Sequence, residues 1–145
     1  QMKQGISHFL LPSFAEKIRD DALVVKNRKI KNLFKDRSVY LDKKAFRASI
    51  VADLEDPKTE LNYIIAFLKI CENRFKINWS YESTKIKFLA TAYNTGYWKS
   101  SDEIEAMTDK KFFNTKLFKT ENYSYADVAL FWYNQYIQTT FNSER

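Results

Sequence analysis

Apolar residues recur along much of this chain at intervals of three and four, which is the spacing of amphipathic α-helices. The longest such series follows Asp56 and Pro57, an N-cap acid and a proline at the first helical position, where its missing N–H costs nothing. This pattern predicts a central helix with one buried face. The apolar positions that form the face are Leu61, Ile64, Ile65, Leu68, Cys71 and Phe75.

Further helix starts are indicated by short polar side chains that can accept a hydrogen bond from the first turn of a helix. Two of these side chains have a Glu three residues later, which is the spacing of a capping box. The chain is therefore expected to form five or six helices with short breaks. Only the stretch from Ala22 to Tyr40 leaves helix and strand open. The capping residues are Ser13 with Glu16, Asp42, Ser80, Ser100 with Glu103, and Ser124 with Asp127.

The last predicted helix, which Ser124 opens, is apolar on nearly every side. A helix of this kind is either clamped between neighbours or forms part of an interface. One side carries Ala126, Ala129, Leu130, Tyr133, Tyr136 and Ile137, and Val128, Phe131 and Trp132 widen the stripe.

Composition favours a single all-α domain that spans residues 1–145. A hydrophobic content of 45% argues against disorder, and two Gly with two Pro supply too few turns for a many-stranded sandwich or barrel. No apolar run approaches the roughly 18 residues of a membrane span. Cys71 is the only cysteine, so an internal disulfide and a thiolate metal site are excluded. No motif in the sequence indicates a cofactor or a metal.

A net charge of +6 suits a polyanionic partner, such as nucleic acid, an anionic membrane face or the acidic polymers of a cell wall. Like-charge runs are also common on solvated faces, and that alternative stays open for the basic segment from Lys26 to Arg37. No nucleic-acid partner is expected, because no zinc-ligand spacing and no RNA-reading motif occurs. The basic side chains are Lys26, Arg28, Lys29, Lys31, Lys35 and Arg37, followed by Lys43, Lys44 and Arg47.

The segment Ala92-Tyr93-Asn94-Thr95-Gly96 is the most specific short string in the chain. It ends an amphipathic series, and Gly96 stands where a helix stop requires a positive φ. A phenol and a carboxamide on the last turn can hydrogen-bond a polar substrate such as a sugar amide. The alternative is that Tyr93 belongs to the rim of the core and Asn94 is an ordinary helix-end residue.

With its flanks, this string resembles the Ala-Tyr-Asn-x-Gly motif of lytic transglycosylases, the lysozyme-like enzymes that cleave the glycan strands of peptidoglycan. Three other segments are similar to further elements of that family, in the family's order. The resemblance implies a lysozyme-like helical fold and a location in the bacterial cell envelope, periplasmic or extracellular. The segments are Gly5 to Ala15, with Ser7 and His8 where the family has Met-Gln, Asp56 to Phe75, and Glu121 to Tyr125, with two substitutions.

The resemblance also implies a reaction. In that family one Glu acts as acid and base while the sugar's own 6-hydroxyl attacks, which gives an anhydro product without a metal. The family's Glu precedes the element similar to Gly5 to Ala15, but here only Gln1 to Gln4 stand before Gly5. We therefore expect no catalytic residue in this chain. The Glu is expected upstream of Gln1, in a longer protein of which this would be the C-terminal part.

The substrate contacts that the resemblance implies are Tyr93, Asn94, His8, Ser7, Glu121 and Tyr125, with peptidoglycan glycan strands as the partner. Each of these residues has a core or capping role as its alternative. Among the acids, Glu72 stands beside the predicted buried face, where a salt-bridged flank residue is the commoner case. The expected function is that of a lytic transglycosylase or muramidase-like domain. The alternative is a non-catalytic helical module that binds cell-wall glycan or a protein partner.

Overall fold

Helices make up most of the computed structural model of this chain, which describes residues 11–25, 27–114 and 122–143. The all-α prediction is confirmed. The described residues divide after Arg74 into two compact units. The helices of the described parts are α1 (Pro12–Val24), α2 (Arg28–Lys31), α3 (Lys43–Glu55), α4 (Pro57–Arg74), α5 (Glu82–Thr95), α6 (Ser101–Glu105) and α7 (Tyr125–Ser143).

The first unit packs α1 against α2, α3 and α4. The rings of Phe14 and Phe67 meet between α1 and α4 with their centroids 6.4 Å apart. The start of α3 is as predicted, because the carboxylate of Asp42 accepts a hydrogen bond from the Ala45 N–H at 2.7 Å. The core of this unit consists of Ala15, Ile18, Ala22, Ile30, Phe34, Phe46, Ile50, Leu54, Tyr63, Ala66, Phe67, Ile70 and Cys71.

The α4 helix begins where the sequence predicts, with the Asp56 carboxylate accepting from the Thr59 N–H at 3.1 Å, but its buried face was predicted wrongly. Of the expected face, Leu61, Ile65 and Leu68 are exposed, whereas Cys71 is buried as predicted. The helix is apolar on two sides, and the core takes the side with the larger rings, since aromatic side chains bury more area. The face that is buried consists of Tyr63, Ala66, Phe67, Ile70 and Cys71.

The start of α1 also differs from the prediction. The N-cap is Leu11 without a side-chain bond, because Pro12 occupies the first helical position and places Ser13 inside the helix. Glu16 is therefore not part of a capping box. Its carboxylate accepts instead from Nη2 of Arg37 at 3.0 Å and from Nε of Arg47 at 3.3 Å. One acid on α1 thus binds two later segments of the chain.

Arg19 is a charged side chain that is only 2% exposed. Its guanidinium donates to the carbonyl oxygen of Lys35 at 3.0 Å and to the hydroxyl of Tyr40 at 3.2 Å. It also donates to the Ser49 hydroxyl at 3.2 Å and forms an ion pair with Asp53 at 3.4 Å. These bonds tie α1 to α3 and to the segment that precedes α3.

Aromatic rings surround the same guanidinium. The centroids of Phe34, Tyr40 and Phe46 lie 5.6, 5.4 and 4.8 Å from its central carbon, within the range of cation–π attraction. From α4, the hydroxyl of Tyr63 donates to Asp53 at 2.7 Å. Burial and this hydrogen bond raise the pKa of Tyr63, so the phenol stays protonated and remains a donor.

The second unit contains α5, α6 and α7 with a small antiparallel pair of strands, β1 (Lys111–Asn114) and β2 (Asn122–Ser124). The sequence did not predict these strands. The pairing joins Lys111 to Ser124, with an irregularity before Phe113. Both strands pack on α7, and α5 packs on α6 and α7. The core of this unit includes Phe88, Ala92, Tyr97, Ile104 and Ala126.

Two of the three helix caps predicted in this unit are confirmed. Ser100 and Glu103 form a complete capping box at the start of α6. Ser124 accepts from the Asp127 N–H at 3.0 Å and donates to the Asp127 carboxylate at 2.6 Å at the start of α7. The predicted cap at Ser80 is wrong, because α5 begins after Tyr81 without a side-chain bond.

One side of α7 is open to solvent. Phe131, Trp132 and Tyr136 are 56, 66 and 68% exposed. The sixteen residues from Val128 to Ser143 carry no charge. Of the helices that the structure describes, none combines the length and the apolar composition needed to cross a bilayer.

Replacement of Arg19 by Met should lower the free energy of unfolding of the first unit by about 3 kcal/mol, because Asp53 and the Lys35 carbonyl would lose their donor. Hydrogen exchange across α1, α3 and α4 measures the change. Lys17→Ala is the matched control on α1, where an exposed pair with Asp21 should contribute at most about 0.5 kcal/mol. Equal effects of the two substitutions would contradict a supporting role for the buried cation.

Candidate functional site

The predicted contact residues of the second unit lie where α5 and α7 pack together. Three side-chain contacts join the two helices. Contact residues later in α5 pair with residues earlier in α7. The helices are therefore antiparallel. The contacts are Glu82 with the Tyr133 hydroxyl at 2.7 Å, Lys87 with Asp127 at 3.2 Å, and the ring of Tyr93 with that of Tyr125.

Tyr93 and Tyr125, which the sequence proposes from two separate segments, are brought together. Their ring centroids are 6.4 Å apart and the ring planes differ by 17°, an offset stacked arrangement. Both residues are half-buried. Burial raises the pKa of Tyr125, so its phenol is a neutral donor at physiological pH. The two stacked rings lie where α5 ends and α7 begins.

Asn94 follows Tyr93 on the last turn of α5 and is exposed. Within the described residues its carboxamide makes no side-chain hydrogen bond, so both its donor and its acceptor are open to a ligand. The turn ends at Gly96, whose N–H bonds the carbonyl of Ala92 at 3.0 Å. Gly96 has a φ of +107°, as the motif predicts for a helix stop.

A cleft of about 360 Å³ opens beside α5, at the lower end of the range for small-molecule sites. Phe88 forms its buried floor, and the Trp79 ring lies against Phe88 with a centroid distance of 5.1 Å. The remaining lining is polar. The lining residues are Trp79, Thr84, Lys87, Phe88, Glu105, Thr108 and Asp109.

Lys87 organises the charges of this cleft. Its ammonium bonds Asp109 at 3.1 Å and Asp127 at 3.2 Å. The bond to Asp109 raises the pKa of Lys87 against the opposing effect of burial, and Asp127 adds to the rise. The hydrogen bond from Ser124 lowers the pKa of Asp127, and Lys87 lowers it further. Glu105 takes part in no ion pair within the described residues, so the cleft keeps an available carboxylate.

The cleft and Asn94 lie on the same side of α5. Asn94 comes seven residues after Lys87, which is nearly two full helical turns and about 10 Å along the axis. Tyr93 is turned from this side toward α7, where it meets Tyr125. The arrangement places an aromatic floor, a free carboxylate and a free carboxamide along one helix.

Three of the sequence-predicted contacts, Ser7, His8 and Glu121, lie outside the described residues. Glu72 is exposed and its carboxylate pairs with Lys69 at 2.6 Å. It is therefore a salt-bridged residue beside the buried face, which is the commoner of the two roles considered for it. In the described ranges no Asp or Glu side chain is buried, and no group of three or more potential metal ligands is gathered.

The sequence did not single out Trp79, Glu105 or Asp109 as site residues. Trp79 stands in a segment without helical periodicity, Glu105 ends a helix of only five residues, and Asp109 follows that helix. No short motif joins these positions. One sequence feature could have indicated the cleft: Trp79 stands in a loop before a predicted helix. Large aromatic residues outside regular elements often line ligand sites.

No family model, no curated protein and no solved structure matches this chain.

Replacement of Gly96 by Ala should destabilise the second unit by more than about 1 kcal/mol. An alanine Cβ would lie 2.5 Å from the Trp98 ring, at a φ that side chains rarely adopt. Near-UV circular dichroism during thermal unfolding measures the loss. A Gly96→Ala, Trp98→Ala double variant separates the two causes, because it relieves the steric contact and leaves the backbone strain. An unfolding temperature of Gly96→Ala equal to that of the unmodified protein would contradict both the steric contact and the backbone strain.

Acid should loosen the pairing of α5 with α7. The folded state lowers the pKa of Asp127 below the ordinary value of 3.8. The stabilisation that the ionised Asp127 gives to the folded state is therefore fully present above pH 3.8. It is lost as the pH falls through the lowered value. Tryptophan fluorescence between neutral pH and about pH 2 follows the change. The Asp127→Asn variant should lose this acid-dependent change in fluorescence. Glu105→Gln, which removes the same charge from a carboxylate without an ion pair among the described residues, should keep it.

Proposed function

We propose that this chain contacts the glycan strands of bacterial peptidoglycan through its second unit, as the substrate-binding part of an enzyme of the lytic transglycosylase type. The observation that carries the proposal is the stacking of Tyr93 on Tyr125 beside the exposed Asn94. These residues were proposed from two distant segments that resemble elements of one family. Their meeting at one end of α5, next to Asn94, supports a common contact surface there.

The chemistry of the cleft beside α5, together with that of Asn94, suits an acetylated amino sugar. A sugar ring has one face lined by C–H groups, which matches the aromatic ring of Trp79, and hydroxyls at its edge, which match Glu105 and Thr84. The carboxamide of Asn94 offers one donor and one acceptor to an N-acetyl group. A neutral glycan also needs no strongly charged cleft, and Lys87 is already paired with two acids.

Cleavage of the glycan needs a carboxylic acid that is protonated near neutral pH, which requires burial. The described residues of this chain offer no buried carboxyl group. In the proposal, the general acid is a Glu outside these residues, upstream in the parent protein. An envelope location follows from the substrate.

The second candidate function is a non-catalytic helical module that binds cell-wall glycan. The described residues carry the aromatic and amide groups that binding requires, and binding requires no acid. The two candidates share a binding surface and differ in whether the glycan is cut.

Binding is tested by sedimentation of the protein with purified sacculi. Asn94→Ala should weaken retention about tenfold, because it removes hydrogen bonds to the glycan from a side chain that bonds no other described residue. Asn134→Ala, an exposed asparagine in the middle of α7, is the matched control and should bind normally. Trp79→Ala should weaken retention by a similar factor, provided that circular dichroism shows a folded protein. Equal retention of all variants would refute the proposed surface.

Cleavage is tested on the parent protein with its native residues before Gln1, by mass spectrometry of material released from sacculi. Anhydro-muropeptides that disappear when an upstream Glu is changed to Gln would support the enzyme. Retention on sacculi without any released product would identify the binding module. Absence of both retention and products would refute the proposed function as a whole.

A further inference from the structure

An apolar tip with basic neighbours projects from the first unit, and the proposed glycan contacts do not use it. Leu41 is 95% exposed and Val39 is 62% exposed. Lys35, Lys43 and Lys44 flank them in sequence and are exposed, and within the described residues none of the three forms an ion pair. We call Lys35, Val39, Leu41, Lys43 and Lys44 the Leu41 surface.

The backbone directs the Leu41 side chain outward. Tyr40, which follows the 3-10 turn Arg37–Val39, has an extended conformation with φ −96° and ψ 139°, so the next side chain points away from its own. The Tyr40 side chain is held inward by Arg19 and by the Phe46 ring, whose centroid is 5.4 Å away. Leu41 therefore faces solvent as a consequence of the contacts of Tyr40, and Val39 is exposed at the end of the 3-10 turn.

The side chains of Lys43 and Lys44 form no ion pair with the described residues and stand where a helix disfavours cations. Lys43 and Lys44 occupy the first two positions of α3, where the helix dipole favours acids and disfavours cations. Asp42 provides the cap that this helix start needs. A solvated Leu41 likewise contributes no packing. The two lysines at the start of α3 and the solvated Leu41 thus do not stabilise the fold. Contact with a partner would account for them.

Charge in this chain is distributed unevenly. The residues up to Arg74 include fifteen basic and ten acidic side chains, and the residues after it include nine and eight. Within the first unit, the stretch from Lys26 to Arg47 holds nine basic residues against Asp36 and Asp42, and two of the nine, Arg37 and Arg47, are paired with Glu16 of α1. The Leu41 surface lies in this stretch, so its electrostatic field favours an anionic partner.

We propose that the Leu41 surface attaches the protein to an anionic bilayer surface. Leu41 and Val39 would enter the boundary between headgroups and acyl chains, and Lys35, Lys43 and Lys44 would contact lipid phosphates. A soluble polyanion such as nucleic acid would use the lysines but would have no use for two aliphatic side chains. Stacking of bases would need an exposed ring, and the ring of Tyr40 is turned inward.

The test is co-sedimentation of the full chain with vesicles of equal parts phosphatidylglycerol and phosphatidylcholine, and with vesicles of phosphatidylcholine alone. Binding should occur only to the anionic vesicles. Leu41→Ser should weaken it about tenfold through loss of apolar insertion, and Lys43→Glu should weaken it at least fivefold through the electrostatic term. The assay contains no glycan, so its result is independent of the proposed function.

Two matched variants control for general effects of exposed residues. Leu61→Ser changes an aliphatic side chain that is 55% exposed on α4, and Lys58→Glu reverses an exposed lysine on the same helix. Both should bind vesicles like the unmodified protein. Vesicle binding that is insensitive to Leu41→Ser and is displaced by heparin would overturn the proposal in favour of a polyanion site. Absence of binding to the anionic vesicles would also overturn it.

Insertion itself has a direct readout. Leu41→Cys introduces a thiol that a polarity-sensitive fluorophore labels selectively, because the native Cys71 is 1% exposed and burial raises its pKa to about 12. The emission should rise and shift to shorter wavelength on the anionic vesicles. The same label at Glu55→Cys, an exposed position at the end of α3, should not respond. A response at neither position would contradict insertion.

Discussion

The buried charge of Arg19 is the constraint around which the first unit is built. A cation removed from water is tolerated only where hydrogen bonds and opposite charge replace its hydration. The required acceptors come from Ser49 and Asp53 on α3 and from Lys35 and Tyr40 in the preceding segment. The irregular chain between α2 and α3 therefore takes a defined course, although it contains little regular structure.

The second unit places its charges differently, at positions that water still reaches. Lys87 and its two acids are partly exposed, and they join α5 to α7 beside a cleft and not within a core. Groups in such positions keep hydrogen-bonding capacity for a ligand. Local contacts define two of the helix ends, because Gly96 stops α5 and the Ser124 hydroxyl caps the start of α7. The candidate contacts Tyr93 and Tyr125 stand next to these two helix ends.

Local signals in the sequence predicted the fold better than apolar periodicity did. The caps at Asp42, Ser100 and Ser124 were correct because each depends only on residues within one turn. At Ser13 a neighbouring proline moved the helix start. The buried face of α4 was predicted wrongly because that helix has two apolar sides, and the choice between them is made by tertiary packing. The stacking of Tyr93 on Tyr125 depends on the pairing of two helices that are distant in sequence, so no local signal could predict it.

The short segment between the 3-10 turn at Arg37–Val39 and α3 has a consequence for sequence variation. Tyr40 is fixed by Arg19 and Asp42 is fixed by the first turn of α3, so neither the spacing nor the direction of residue 41 can drift. An insertion or deletion here would break one of the two anchors. The identity of the side chain at Leu41, by contrast, is unconstrained by packing. Among related chains, its substitution pattern would record selection by whatever the surface meets, unmixed with selection for folding.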